Sequence, residues 1–222
     1  MKDFELLNFL HLADSAWPVG SFAFSLGLEA MSKHGQLNCL QDLADHFDAS
    51  LEQNMSFEVP ILHSLYKENE FEEAIHYYHL CNRTPSIREA AIMQGRAWLR
   101  LIPVTHPQVN TEEIESYFEK GKSKPYYIAV FSKFMKSLGY DIKNAIHLFL
   151  YSNLRDQVTA SIRLGLVGPS QGHAILSKRL SYLNDANASF NTGHFSDAVR
   201  TLPVADVAQL AHANLYSKLF RN

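Results

Sequence analysis

The stretch DIKNAIHLFLYSNLRDQVTASI, running from Asp141 to Ile162, decides the fold class. Ile142, Ile146, Leu150, Leu154, Val158 and Ile162 recur every four residues, a spacing that suits a helix and not a strand. At 3.6 residues per turn, each four-residue step overshoots a full turn by about 40°, so the apolar line winds around the helix. Ala145, Leu148 and Phe149 widen it. A helix apolar on several sides belongs in the middle of a bundle, and Asp141 is placed to cap its start.

The same periodicity dominates on both sides of this stretch. Amphipathic helices are predicted from about Phe4 to Leu12, from Leu40 to Phe57, from Pro60 for a short run, and from Glu70 to Leu80. Thr84-Pro85 reads as an N-cap followed by a proline in the first turn, opening a helix toward Pro103. Val104 to Asn110 reads as a loop, and Thr111-Glu112-Glu113 places acids at the next helix start. After Ile162, three glycines and Pro169 break the helix; Ser170 or Gln171 begins another, and a last one is expected from Val204 to Phe220. The expected fold is all-α, a single-domain helical bundle of roughly eight to ten helices over residues 1–222.

Composition narrows the function classes. Hydrophobic residues make up 46% and charged residues 19% of the 222 residues, as in a soluble chain with a sizeable core. Net charge is −3 and no Lys/Arg cluster stands out, which points away from nucleic acid and anionic membrane. No apolar run approaches the roughly 18 residues needed to span a bilayer. The start, Met1-Lys2-Asp3-Phe4-Glu5, is acidic where a secretory signal is basic, and Cys39 and Cys81 are isolated, so a cytoplasmic protein is expected.

The densest run of constrained residues lies between Asp14 and Glu29. Pro18 fixes its own φ and drives Trp17 out of the helical region; Gly20 permits a turn; Ser21 is placed to cap a helix from Phe22 to His34, with Gly35 as its stop. On that helix Phe22, Leu26, Glu29 and Ala30 share one face, setting a single acid beside an apolar stripe. Phe22 and Phe24 lie about 200° apart on a helix, which leaves one of them for a contact surface.

Two enzyme signatures are present in letter only. Gly168-Pro169-Ser170-Gln171-Gly172 fits the G-x-S-x-G nucleophile elbow, but that chemistry needs a strand before the serine and a parallel sheet around it. A glycine-rich turn with Ser170 as N-cap is the better reading. His76 and His79 share a helix face with Glu72 and Glu73 one turn earlier, the basis of an alternative as a helical metal- or haem-dependent enzyme; no H-E-x-x-H pattern or second ligand pair accompanies them.

Leu10-x-Leu12-x-Asp14-Ser15-x-x-Pro18-x-Gly20-x-Phe22-x-x-Ser25-x-Gly27-Leu28-Glu29 resembles the N-terminal signature of the UreF family of urease accessory proteins. The likeness continues through Arg88-Glu89, Gln94-Gly95-Arg96, Leu138-Gly139, Gly168 and Gly172. It ends at Leu215-Tyr216-Ser217-Lys218-Leu219-Phe220-Arg221, similar to a closing Tyr-Ser-Arg-Leu-Phe-Arg-Ser. The sequence departs from the pattern at Ala213, where a glutamate is usual, and at Lys218, where the arginine fork is lost.

The resemblance implies an all-helical homodimer without catalysis or a cofactor of its own. It implies a chaperone that bridges UreD (also called UreH) and the nickel-binding GTPase UreG while the assembly engages apo-urease. By that likeness Pro18, Gly20, Phe22 and Glu29 lie near the GTPase-facing surface. Tyr216, Lys218, Leu219, Phe220 and Arg221, in a tail over about residues 212–222, dock on UreD, with Phe22, Leu219 and Phe220 as anchors. An adaptor for another metalloenzyme is the remaining alternative.

Overall fold

The structure, a computed structural model, describes residues 3–17, 25, 27–119, 122–185, 193–212, 216 and 219–220. Among them are helices α1 (Asp3–Leu12), α2 (Leu28–Lys33), α3 (Leu40–Gln53), α4 (Val59–Leu65), α5 (Phe71–Cys81), α6 (Pro85–Thr105), α7 (Thr111–Ser116), α8 (Tyr127–Ser137), α9 (Ile142–Arg163), α10 (Pro169–Asp185) and α11 (Pro203–His212), and no strand. The fold is all-α. None of these helices is long and apolar enough to cross a membrane.

The winding apolar line makes α9 central, as its spacing predicts. Ala145, Ile146, Leu148, Phe149, Leu150, Leu154, Val158 and Ala160 are all buried, and the Asp141 carboxylate accepts the Asn144 N–H at 2.7 Å to cap the helix. Helix α8 is even more enclosed, with every residue from Ile128 to Met135 buried. Its buried cation, Lys133, lies 4.1 Å from the Phe71 ring centroid and 3.8 Å from that of Tyr117. The ammonium reaches Glu68 Oε2 at 2.8 Å, and Glu68 also accepts from Lys136 at 2.8 Å and from the Tyr117 hydroxyl at 2.6 Å. A buried ammonium needs such a carboxylate, and two flanking aromatic faces add to the attraction.

Several boundaries differ from those expected. Gly27 has φ +92°, left-handed, so α2 starts at Leu28; it ends at Lys33, with Gly35, φ +68°, just beyond, and the expected start at Phe22 lies outside the described residues. Leu40 to Leu65 is nearly continuous, because a wide π turn over Asn54–Glu58 joins α3 to α4 instead of a break before Pro60. Pro103 sits inside α6, which continues to Thr105. The last helix covers Pro203–His212 among the described residues, and Leu219 and Phe220 are not helical.

Helices α6 and α8 lie against each other, and Gly95 marks where α6 is crossed by the chain leading into α8. A β-carbon at Gly95 would run into the Pro125 carbonyl oxygen, a backbone atom that a side-chain rotation does not move. The small residue is therefore a packing requirement. Gly95→Ala is expected to destabilise the fold by about 1–3 kcal/mol, the usual range for overpacking, despite alanine's better helix propensity. Urea denaturation of the variant checks this; a gain in stability would refute the close crossing.

Candidate functional site

The short helix α2 buries Leu28, Glu29, Ala30 and Met31 together. Glu29 is only 1% exposed, and a carboxylate so enclosed has to be paired. Its Oε1 accepts the Leu219 N–H at 2.7 Å and its Oε2 the Phe220 N–H at 3.2 Å. Lys33, one turn along, brings its ammonium to 3.3 Å from Oε1, and the Glu29 N–H donates to the buried Ser25 hydroxyl at 3.4 Å. One acid thus grips two successive backbone amides of the C-terminal tail through charge-assisted bonds.

The grip sorts the tail into inner and outer residues. Phe220 is 4% exposed, with the Arg163 guanidinium 4.3 Å from its ring centroid. Leu219, its neighbour, is exposed, and so is Tyr216. Glu29 and Phe220, both expected on partner-facing surfaces, are buried in this chain, where each satisfies the other's segment. Tyr216 and Leu219 present free surface. Pro18, Gly20, Phe22, Lys218 and Arg221 lie outside the described residues.

Helix α11 also packs on α2. Around Gly27 the nearest atoms to a hypothetical β-carbon are Gln209 Cγ at 3.3 Å, the Ala205 carbonyl at 3.4 Å and Ala208 Cβ at 3.5 Å. Ala205 and Ala208 therefore form a thin buried face. The opposite face exposes Val204, Val207 and Leu210. These three were not singled out from the sequence, although their spacing of three, set against the alanines, marks a helix apolar on two sides.

A polar strap leads into α11. Tyr77 donates to the Ala198 carbonyl at 2.9 Å, the Val199 N–H to the Ser56 carbonyl at 3.0 Å, and the Thr201 and Leu202 N–H groups to Gln53 Oε1 at 3.1 and 2.7 Å. Arg200 forks onto Asp206, at 3.1 and 2.5 Å, and reaches Asn82 at 2.6 Å. Polar pins, more than apolar bulk, hold α11 in place.

The enzyme signatures do not form sites. Ser170 lies in the first turn of α10, after a turn that follows α9, and no strand precedes it among the described residues. Nor is it the cap: the Gln171 side chain accepts the Gly168 N–H at 3.3 Å. His79 has both ring nitrogens engaged, Nδ1 with the Tyr126 hydroxyl at 2.5 Å and Nε2 facing Arg88 at 3.4 Å. Among the described residues no three His, Cys, Asp or Glu side chains gather as metal ligands would.

Residues 37–179 match the UreF family. The chain belongs to it. It is 29% identical over 217 residues to the urease accessory protein F of Arabidopsis thaliana, covering 94% of this chain and 89% of that one. Identity to the UreF protein of Trichodesmium erythraeum is 26% over 228 residues, covering 98% of this chain and 97% of that one; to that of Sporosarcina pasteurii it is 24% over 203 residues, covering 87% and 99%. UreF is a family of urease accessory chaperones and not of enzymes, which gives the chain a role in urease maturation alongside other accessory proteins.

Two outcomes follow from this geometry. Glu29→Gln keeps the shape but loses the charge, and bonds to charged groups contribute about 1.5–3 kcal/mol each. The Leu219 and Phe220 amides should exchange hydrogen at least about tenfold faster while far-UV circular dichroism stays unchanged. Unchanged exchange would refute the latch. Beneath the strap, burial pushes the Glu58 carboxyl from its ordinary 4.5 up to about 8, with Arg200 opposing the rise. The folded chain therefore holds a proton that the unfolded chain releases, and stability falls as pH climbs from 4.5 to about 8. Glu58→Gln should remove that slope and gain on the order of a few kcal/mol at the upper end, read from urea midpoints across the window.

Proposed function

We propose that this chain is a urease maturation scaffold that bridges UreD and the GTPase UreG, so that nickel reaches apo-urease. It works as a cytoplasmic homodimer, regulating the GTPase partner and performing no chemistry of its own. One all-helical domain over residues 1–222 carries the tail, and the turn at Pro18, Gly20 and Phe22 belongs to the GTPase-facing side. The tail, with Tyr216, Lys218, Leu219, Phe220 and Arg221, belongs to the UreD-facing side.

The observation that carries this reading is the bond between Glu29 and the tail amides. A docking tail has to be presented in a defined course, and a buried acid holding Phe220 in while Leu219 and Tyr216 point out supplies that course. The exposed Val204, Val207 and Leu210 of α11 extend the apolar surface on the same support, α2. Anchors of this kind dominate binding when they sit on rigid elements. Glu29 then acts on partners indirectly, by positioning what they touch.

Co-expression with UreD and UreG tests the assignment. Removal of all residues after Asn214 is expected to abolish co-purification of UreD with helicity intact. Val207→Glu, at an exposed position, is expected to weaken UreD binding about tenfold, near 1.4 kcal/mol, without lowering the melting temperature. Full recovery of UreD with the truncated chain would overturn the assignment of the tail.

A further inference from the structure

A half-enclosed cavity of about 160 Å³ lies between α3, α5, α6, α9 and the strap into α11. Three of the polar atoms around it, Glu58 Oε2, Gln157 Oε1 and the Ser86 hydroxyl, are sealed from solvent and have no hydrogen-bond partner among the described residues. Gln157 is 2% exposed. Glu58 closes the π turn over Asn54–Glu58, a local widening of the helix that often marks a functional site.

The N–H donors of Arg200, Asn82 and Gln157 are already committed. Arg200 gives its N–H groups to Asp206 and Asn82, Asn82 gives its amide to the Tyr78 carbonyl at 3.0 Å, and Gln157 gives its amide to the Ser50 hydroxyl at 2.9 Å. What is left is the Gln157 amide oxygen, an acceptor, the Glu58 carboxyl, which becomes an acceptor on losing its proton, and the Ser86 hydroxyl, which serves either way. A buried acceptor without a donor costs about 1–3 kcal/mol, so the site is built for something that brings N–H groups. The room exceeds a single water, whose share of liquid volume is about 30 Å³.

We propose that this cavity binds a small organic cation carrying N–H donors, of the alkylammonium class, with Glu58 as counter-ion and Gln157 as second acceptor. Binding exchanges charge for charge: the Glu58 carboxyl releases its proton to solvent, and the cation takes its place. Arg200 and Asp206 neutralise each other and leave Glu58 as the site's unmatched acid. The other titrating neighbours are silent near neutrality. Burial holds His46 down at about 4 and pushes the Tyr78 hydroxyl well above its usual range.

Methylammonium chloride, titrated calorimetrically into the full chain against tetramethylammonium chloride at equal ionic strength, tests the proposal. The two ions share a charge, but only the first donates N–H bonds. Saturable binding is expected for methylammonium, at least about tenfold tighter than for tetramethylammonium. It should be roughly twentyfold tighter near pH 8.5 than near pH 6.5, following ionisation of Glu58 around a value of about 8. Glu58→Gln should abolish binding, and Gln157→Leu should weaken it several-fold. No saturable binding, equal binding of the two ions, or full binding by Glu58→Gln would each overturn the proposal and leave the cavity to water.

Discussion

A helix with apolar side chains on several sides has to be surrounded, and α9 imposes that demand on the rest of the chain. Its 22 residues carry buried groups from Ala145 to Ser161, so neighbours must cover it on more than one flank. Helices α8 and α10 lie against it, and α3 and α4 close other sides. The glycines allow the tightest of the remaining approaches. Gly95 lets the chain entering α8 cross α6, and Gly172 of α10 sits where a β-carbon would meet Ile162 and Val158 of α9.

Around that core the functional surface is assembled from weakly apolar pieces held by polar bonds. Helix α11 turns Ala205, Ala208 and Gln209 toward the start of α2, and the strap before it is fixed by Gln53, Tyr77, Asn82 and Asp206. The tail is held in the same manner, by Glu29 on two backbone amides. Large apolar side chains on α11 and the tail, Val204, Val207, Leu210 and Leu219, are left outward. That division suits the proposed scaffold: an apolar surface is left for partners, while directional bonds decide where it is displayed.

Much of the helical plan is readable from pattern. Phe71, Ala74, Ile75 and Tyr78 share a face by spacing and are all buried, and Asp141 caps α9 as its position suggests. The misplaced boundaries share a cause. Local signals at Pro60 and Pro103 argue for breaks, yet a π turn absorbs the first and a first-turn position makes it harmless, while the second lies too near the end of α6 to stop it. The sequence of α8 reads as mixed, with Lys133 among aromatics; only Glu68, between α4 and α5, and Tyr117, just after α7, make that lysine a core residue.

By itself, the sequence determined the helical class, the Asp141 cap and the family likeness, since all three rest on residues close together or in fixed order. Tertiary structure alone decided the direction in which Glu29 acts. Helical spacing sets it beside an apolar stripe but does not say what covers that stripe. The answer is a segment 190 positions away in the chain, at Leu219, and a carboxylate placed there is satisfied by tail amides before any partner arrives.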